Sequence, residues 1–244
     1  MCGRYVSRAD KQRIAESFGV RIVPENYDPD FTPDWVPNYN VAPQTRNPVV
    51  RLNSETGQRE LTTMRWGLVP FWAKDAKLAY STINARAETL ASSALYRAAL
   101  KSRRCLIPVD AFYEWKKLDA KNKQPFAISM KDDSLFAFAG LWETWKDKAA
   151  DHQLETYTVI TTDPNELMQT IHDRMPVIVA REDYARWLAP AQPGQLPTDL
   201  LRPYPPEEMK AWKVSKAVGN TRNNGPQLMK PDQDALPKIG GLFN

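Results

Sequence analysis

The second residue of the chain, Cys2, has the most distinctive chemistry. Removal of Met1 is normally permitted before a small side chain, and it would leave Cys2 with an α-amino group and a thiol on adjacent carbons. The ordinary pKa values of the two groups are about 8 and about 8.5, so useful fractions of both reactive forms exist near neutral pH. Such a 1,2-aminothiol condenses with an aldehyde, first to an imine and then to a five-membered thiazolidine. The same terminus also suits an N-terminal nucleophile, and an inert cysteine near a frayed end stays open as an alternative.

Three polar residues alternate in segment 83–88: Asn84, Arg86 and Glu88. If the segment is extended, their side chains share one face. An amide, a guanidinium and a carboxylate on one face suit the binding of a phosphate and the orientation of a reactant. The spacing leaves an alternative open, an ion pair between Arg86 and Glu88 at the surface.

Glu114 stands among aromatic residues in Phe112–Trp115. Burial among apolar groups would raise its pKa and let it hold a proton for transfer. The alternative is that Glu114 faces water on an amphipathic strand, while the neighbouring aromatic residues face the core.

The chain has two histidines, His152 and His172. His172 follows an apolar helical segment and is a candidate general acid or base, although a histidine at a helix C-terminus also interacts with the helix dipole. His152 lies in a charged segment and is predicted to be a loop residue. The histidines and cysteines show no paired metal-ligand spacing, and the chain has no nucleotide-binding glycine motif. We therefore expect no metal and no cofactor.

Eight tryptophans occur together with arginines, for example Trp66 and Trp72 near Arg65. Exposed aromatic side chains mixed with arginines suit single-stranded nucleic acid, because bases stack and phosphates pair with guanidinium groups. A large aromatic core is the alternative for most of these residues.

The segments that must position these residues are mostly predicted strands. A helix is predicted around residues 14–18, ended by Gly19 and preceded by a capping box of Ser7 and Asp10. Further helices are predicted at 88–100, 164–171 and 183–188, and strands at 49–52, 60–66, 105–109, 112–116, 126–130, 136–142, 157–162 and 176–180. Proline-rich stretches at 24–43 and 189–206 predict loops. Because strands follow each other with few helices between them, we expect a mainly antiparallel α+β fold in one domain.

The 244 residues are 42% hydrophobic and 25% charged, which argues against a disordered protein. The net charge is +4, and residues 210–244, with six basic and two acidic side chains, account for it. This stretch is a candidate anion-binding surface, with a solvated face as the simpler explanation. The chain has two cysteines, no membrane-spanning apolar run and no signal-peptide pattern. We therefore expect a soluble cytoplasmic protein with reduced thiols.

Taken together, these motifs resemble the SRAP family (SOS response-associated peptidase; abasic-site processing proteins). The matching segments occur in the family's order: Met1–Tyr5, Tyr39–Pro43, Met64–Pro70, Ile83–Thr89, Phe112–Trp115, Ile171–Pro176 and Val218–Asn220. The resemblance implies a compact domain over residues 1–230 with a curved, barrel-like sheet and peripheral short helices, followed by a tail at 231–244. It also implies binding of single-stranded DNA containing abasic sites and, in a bacterium, association with the nucleoid when DNA is damaged. Composition offers no evidence for an oligomer, and we expect a monomer.

The resemblance further implies covalent capture, because an abasic deoxyribose opens to the aldehyde that Cys2 chemistry requires. Carried over by position, Cys2 is the crosslinking nucleophile, and Asn84 orients the opened sugar or the Cys2 terminus. Glu114 shuttles protons during imine and thiazolidine formation. His172 acts as acid or base in ring opening, crosslink reversal or lyase cleavage by β-elimination. A self-processing peptidase activity is also implied.

For DNA binding, the resemblance implies phosphate contacts from Arg4, Arg86 and Arg174, and a base stacked on or wedged by Trp72. Three positions depart from the family pattern: Ala73 where a second aromatic is frequent, Ala94 where a basic residue is frequent, and Ala111 where a glycine is common. Ala73 puts part of the expected stacking in doubt, and Ala94 puts one phosphate contact in doubt. Ala111 puts the close approach of DNA to the backbone in doubt. None of them is a proposed catalytic position.

Three other functions stay open. The chain begins like a glutamine amidotransferase of the N-terminal nucleophile type, whose downstream motifs do not fit. A thiol peptidase would use Cys2 and His172. A non-catalytic single-strand binder would bind DNA without any covalent product.

Overall fold

The computed structural model describes residues 2–20, 36–147, 152–191 and 195–232. Met1, most of the predicted 24–43 loop, and residues 233–244 of the predicted tail lie outside the described residues. The strands are β1 Tyr5–Ser7, β2 Asn38–Val41, β3 Arg46–Leu52, β4 Arg59–Trp66, β5 Asn84–Arg86, β6 Arg104–Val109, β7 Ala111–Lys117, β8 Lys123–Met130, β9 Phe136–Asp147, β10 His152–Thr162, β11 Met175–Pro176, β12 Ile178–Val179 and β13 Met209–Lys213. The α-helices are α1 Lys11–Phe18, α2 Arg97–Ser102, α3 Glu166–Gln169 and α4 Tyr184–Leu188.

Five strands close into a barrel in the order β10-β4-β3-β6-β9, because β9 pairs back to β10. The β9–β10 ladder extends from Asp147 opposite His152 to Gly140 opposite Val159. The β10 pairings with β4 and β5 are parallel, and the other ladders of this sheet are antiparallel. The mainly antiparallel, barrel-like α+β fold is confirmed. His152 is the first residue of β10, so its prediction as a loop residue is wrong.

A second sheet has the order β13-β8-β7-β1-β2 and is antiparallel throughout. It packs against the barrel through aromatic side chains. Tyr5 of β1 lies with its ring centroid 5.3 Å from that of Trp66, which is the last residue of β4. The hydroxyl of Tyr5 is 2.8 Å from the hydroxyl of Tyr157 on β10. These buried contacts bring the N-terminal segment to the barrel.

The predicted helices differ most from the structure. The Asp10 side chain caps α1 by accepting from the Arg13 amide at 2.8 Å, so Asp10 itself is the N-cap and the predicted capping box with Ser7 is wrong. The continuous helix predicted at 88–100 is also wrong: a 3-10 turn spans 87–89 and α2 begins at Arg97. Between them Ser92 donates to the Thr89 carbonyl, and Ser93 accepts from the Leu95 amide. Such local side-chain bonds compete with continuous helix.

The remaining predicted helices and strands agree in type and differ at their ends, whereas residues 38–41 of the predicted 24–43 loop form β2. The hairpin at 49–66 is β3 and β4, and the five strands predicted between 105 and 162 are β6 to β10. The helices predicted at 164–171 and 183–188 are the shorter α3 and α4, and the strand predicted at 176–180 is divided into β11 and β12. Within the described residues, no helix is both long and apolar enough to cross a membrane.

Candidate active site

Cys2 is fully buried beside β7 and the barrel. The pairing of Tyr5 with Phe112, and the 3.0 Å bond from the Tyr113 amide to the Arg4 carbonyl, hold the first residues alongside β7. Because the pairing is antiparallel, residues before Tyr5 run beside residues that follow Phe112. This register brings Cys2 close to Glu114.

Asn84 is bonded directly to Cys2. It begins β5, which is held in register by its parallel pairing with Val159 of β10. The Asn84 Nδ2 donates to the Cys2 carbonyl oxygen at 2.7 Å. The Asn84 Oδ1 is buried and has no hydrogen-bond partner in the described part of the chain. The amide therefore holds the Cys2 backbone and keeps an acceptor available.

Glu114 and His172 face each other across the same site. Glu114 is 1% exposed, so its alternative as a water-facing residue is wrong. Burial raises the pKa of Glu114 to about 7. Its Oε2 lies 3.9 Å from Nε2 of His172. A carboxyl group that titrates near neutral pH can both accept and donate a proton there.

The backbone after α3 orients the His172 ring. The His172 amide donates to the Met168 carbonyl at 2.8 Å, and Nδ1 accepts from the Arg174 amide at 3.1 Å. This bond leaves the proton of the neutral ring on Nε2, which faces Glu114. The Asp173 Oδ1 lies 2.9 Å from Nδ1, on an exposed side chain. The bond from the Arg174 amide requires an unprotonated Nδ1, whereas a bond to Asp173 requires a protonated one. The bond from the Arg174 amide is the better constrained, because it comes from the backbone. The Asp173 contact fits the charged ring, in which both nitrogens carry protons. Burial lowers the pKa of His172.

The pKa of the Cys2 thiol differs from the value expected for a cysteine at a free chain terminus. Burial raises its pKa well above the ordinary value, and the charge of Glu114 acts in the same direction. The prediction that a useful fraction of thiolate exists near neutral pH is therefore wrong, because the buried thiol keeps its proton. A reaction at sulfur needs a base that takes the thiol proton during the attack. Glu114 is the carboxylate whose pKa and position suit this step.

The three arginines implicated in phosphate binding have different surroundings. Arg86 is exposed on β5 and forms no ion pair with any described residue. Arg174 contacts Glu88 and Asp163, each at 2.8 Å, and donates to the Thr161 carbonyl. The hydrogen bond from Arg174 lowers the pKa of Glu88. The surface pair expected as an alternative, Arg86 with Glu88, is replaced by the pair of Glu88 with Arg174.

Arg4, the third of these arginines, is held by a buried asparagine that the sequence had not singled out. Asn40 is 3% exposed, and its Oδ1 accepts from Arg4 Nη1 at 3.1 Å. Its Nδ2 lies within hydrogen-bond distance of three carbonyl oxygens, those of Val218, Asn220 and Asn223, at 3.3, 3.0 and 2.9 Å. Two motifs without an assigned role, Tyr39–Pro43 and Val218–Asn220, therefore bind each other beside the N-terminal segment.

An exposed aromatic loop, residues 68–82, ends two positions before Asn84. Trp72 is 52% exposed and its neighbour Phe71 62% exposed, so stacking surface is available on both residues. The loop is closed at its base by Thr82, whose hydroxyl donates to the Leu68 carbonyl at 2.6 Å. Sequence reasoning missed Phe71, although its position between Pro70 and Trp72 was visible. Trp66, in contrast, is buried and belongs to the core.

The chain is similar to known proteins over most of its length. Residues 1–221 match the family model described as SOS response associated peptidase (SRAP). The chain is 45% identical over 233 residues to the abasic site processing protein YoqW of Bacillus subtilis strain 168, covering 94% of this chain and 99% of that protein. It is 35% identical over 225 residues to the abasic site processing protein HMCES of Xenopus tropicalis, covering 80% of this chain and 66% of that protein.

The fold is also similar to a solved structure. A crystal structure of a protein from Bacteroides thetaiotaomicron superposes with a TM-score of 0.83 at 26% identity, covering 95% of this chain and all of that one. In the described residues no group of three or more His, Cys, Asp or Glu side chains is arranged to hold a metal ion. With the family model matched from the first motif to the last, this chain belongs to the SRAP family.

Proposed function

We propose that this protein processes abasic sites in single-stranded DNA by covalent capture through Cys2. The relatives named abasic site processing proteins support the substrate class. The observation that carries the proposal is the hydrogen bond of 2.7 Å from Asn84 to the Cys2 carbonyl. It supports the proposal together with Glu114, which is close enough to Cys2 for its charge to act on the thiol. The ring-opened abasic sugar supplies the aldehyde.

The chemistry requires that Met1 has been removed, so that the Cys2 amine is free. The amine adds to the sugar aldehyde carbon, and loss of water gives an imine. The Cys2 sulfur then adds to the same carbon, the thiol proton leaves and the nitrogen gains a proton, and the thiazolidine ring closes. The balance is aldehyde plus aminothiol giving thiazolidine plus one water.

Three side chains assist these steps. Asn84 holds the Cys2 backbone in the orientation that the attack needs. Glu114, with its pKa raised to about 7, takes the thiol proton and supplies a proton to the departing water. His172, with Nε2 facing Glu114, exchanges the proton that opens the sugar ring. The reverse sequence releases the crosslink by the same groups.

DNA binding precedes the covalent step. The exposed Arg86 and the accessible part of Arg4 contact phosphates, and Trp72 stacks on a base next to the abasic site. Arg174 already contacts two carboxylates, so its phosphate contact requires competition with Glu88 and Asp163. Initial binding weakens as salt rises, whereas the closed thiazolidine survives salt and denaturant.

Lyase cleavage follows from the same imine, because an imine acidifies the neighbouring sugar carbon and allows β-elimination of the 3′ phosphate.

A thiol peptidase is the weaker candidate. Such an enzyme uses a thiolate with a lowered pKa, whereas burial raises the pKa of the Cys2 thiol.

The deciding experiment is a denaturing gel with a single-stranded oligonucleotide that bears one abasic site. Intact mass first establishes that Met1 is absent. Wild type gives a heat-stable shifted band, Cys2→Ala gives none, and the matched control Cys105→Ala, also a buried free cysteine, keeps the band. Absence of a band with Met1-free wild type would overturn covalent capture and favour a non-covalent DNA binder.

A further inference from the structure

The hairpin of β7 and β8 carries a dense group of positive charges. Residues 116–123, here called the lysine hairpin, contain four lysines and one acidic residue, Asp119. Lys117, Lys121 and Lys123 are exposed, and Lys116 is partly exposed. This surface has no part in the steps described above.

The charges of the lysine hairpin are not neutralised locally. The Asp119 carboxylate is occupied by the turn itself: it accepts from the Lys121 and Asn122 amides at 2.8 and 2.9 Å and from the Asn122 side chain at 2.8 Å. None of the four lysines forms an ion pair with another described residue. Lys117 lies directly opposite Lys123 in the ladder, an arrangement in which like charges destabilise a sheet. The hairpin therefore presents uncompensated positive charge.

The lysine hairpin extends directly from the active site. Lys116 is two residues beyond Glu114 on the same face of β7, a distance of about 7 Å along the strand. Burial lowers the pKa of His172, and the Lys123 charge adds to this effect, so Lys123 is within electrostatic range of the site. The tip of the hairpin lies six residues from Glu114, roughly 20 Å along an extended chain.

A second strand broadens the positive surface. β13 pairs with β8, with Lys213 opposite Phe126, and the Val214 amide donates to the Pro125 carbonyl at 3.1 Å. Lys216 is close enough to the hairpin tip for its charge to help lower the pKa of Asp119, after the larger effect of the Asn122 hydrogen bonds. Part of the positive charge of residues 210–244 therefore lies beside the lysine hairpin.

We propose that the lysine hairpin binds the phosphodiester backbone of the DNA strand beyond the reactive sugar. The proposal rests on the proposed function, since Cys2 and Glu114 define where the sugar lies. A row of cations that starts about 7 Å from Glu114 and runs outward suits a linear polyanion such as the DNA backbone, because each lysine that neutralises a phosphate releases a condensed counterion. Strand continuity then fixes the direction in which DNA leaves the site.

The test is the salt dependence of binding to an unmodified single-stranded 20-mer, measured by fluorescence anisotropy. Removal of two phosphate contacts lowers the slope of log K against log salt by about 1.4, since each contact contributes about 0.7 on single strands. We expect this decrease for K116Q/K121Q, which removes the lysine on the Glu114 face of β7 and one at the hairpin tip. K116R/K121R keeps the charge and should retain the wild-type slope. R97Q/K101Q removes two exposed charges from α2, outside the proposed surface, and should also retain it.

An unchanged slope in K116Q/K121Q, or an equal loss in R97Q/K101Q, would overturn the proposal. Loss of fold is not expected, because neither Lys116 nor Lys121 is buried or forms an ion pair with another described residue, and the melting temperature checks this. The unmodified 20-mer has no aldehyde, so the measurement is independent of capture. A lower slope without any crosslink in the gel experiment would refute covalent capture and leave the lysine hairpin as a DNA-binding surface.

Discussion

The side chain of Asn84 and the backbone of Cys2 are joined by a 2.7 Å hydrogen bond between Nδ2 and the carbonyl oxygen, across 82 positions of sequence. This bond connects β5, which is paired in the barrel, to the N-terminal segment, which is paired in the second sheet. The two sheets together therefore hold Cys2.

Replacing Asn84 with Asp exchanges the amide donor for a carboxylate oxygen that repels the Cys2 carbonyl. We expect crosslinking to slow by about 10- to 100-fold, because misplacement of a reacting group by about 1 Å can have an effect of that size. Single-turnover crosslinking under saturating DNA measures the rate. Asn53→Asp, at another asparagine that donates from Nδ2, is the matched control. A wild-type rate in Asn84→Asp would show that the bond does not position Cys2.

Replacing Glu114 with Gln removes the proposed proton carrier. The wild-type rate should show an inflection near pH 7, because the ionised carboxylate is the base. Glu114→Gln should be slower by ~10²- to 10⁴-fold, the usual contribution of such a group, and should lose this inflection. The measurement is the crosslinking rate from pH 5.5 to 8.5. An unchanged inflection near 7 would assign it to another group.

The same substitution should stabilise the fold above neutral pH. The folded pKa of Glu114 is raised from 4.5 to about 7, so the folded protein binds more protons than the unfolded chain between these values. The free energy of unfolding therefore falls as pH rises through this window. Glu114→Gln has no ionised form, and we expect it to exceed wild type by on the order of 1–3 kcal/mol at pH 8 and to match it near pH 4.5. Urea unfolding at the two pH values measures the difference, and a less stable variant at pH 8 would contradict this account.

Asn40 should matter for both stability and DNA binding. Asn40→Ala leaves the Arg4 guanidinium without its side-chain acceptor and three carbonyl oxygens without their shared donor. We expect a loss of about 2 kcal/mol in unfolding free energy, within the usual range for buried groups left unsatisfied, and weaker binding to single-stranded DNA. Asn224→Ala, at an exposed asparagine whose Oδ1 accepts from the Tyr39 amide, should lose less than about 1 kcal/mol. Equal effects of the two substitutions would argue against a special role for Asn40.

Gly67 permits the close approach between the barrel and the aromatic loop. Its φ is +124°, and a Cβ there would lie 2.4 Å from the Ala79 carbonyl oxygen. We expect Gly67→Ala to lower the unfolding free energy by about 3 kcal/mol or more, because strain and a backbone clash add. Gly57→Ala also has a positive φ, +67°, but meets no atom within 4 Å, and it should lose only about 1–2 kcal/mol. Chemical denaturation of both variants tests the difference.

Local sequence was sufficient for most strands. Alternating and β-branched segments predict β6 to β10 and the β3–β4 hairpin because their side chains alternate between two environments. It was insufficient for the helix predicted at 88–100, where serine side chains bond to the nearby backbone and interrupt the apolar spacing. Apolar periodicity reports which residues can be buried, and it does not report such competing bonds.

The sequence by itself determined the reactive groups: an aminothiol latent in Met1–Cys2, an amide at 84, a carboxyl at 114 and an imidazole at 172. Only the tertiary structure decided their protonation and partners. Burial raises the pKa values of Cys2 and Glu114, and ion pairs bind Arg174 while Arg86 stays exposed. The physical reason is that desolvation and pairing depend on which strands become neighbours, and β1, β5, β7 and β10 are neighbours in space although they are distant in sequence.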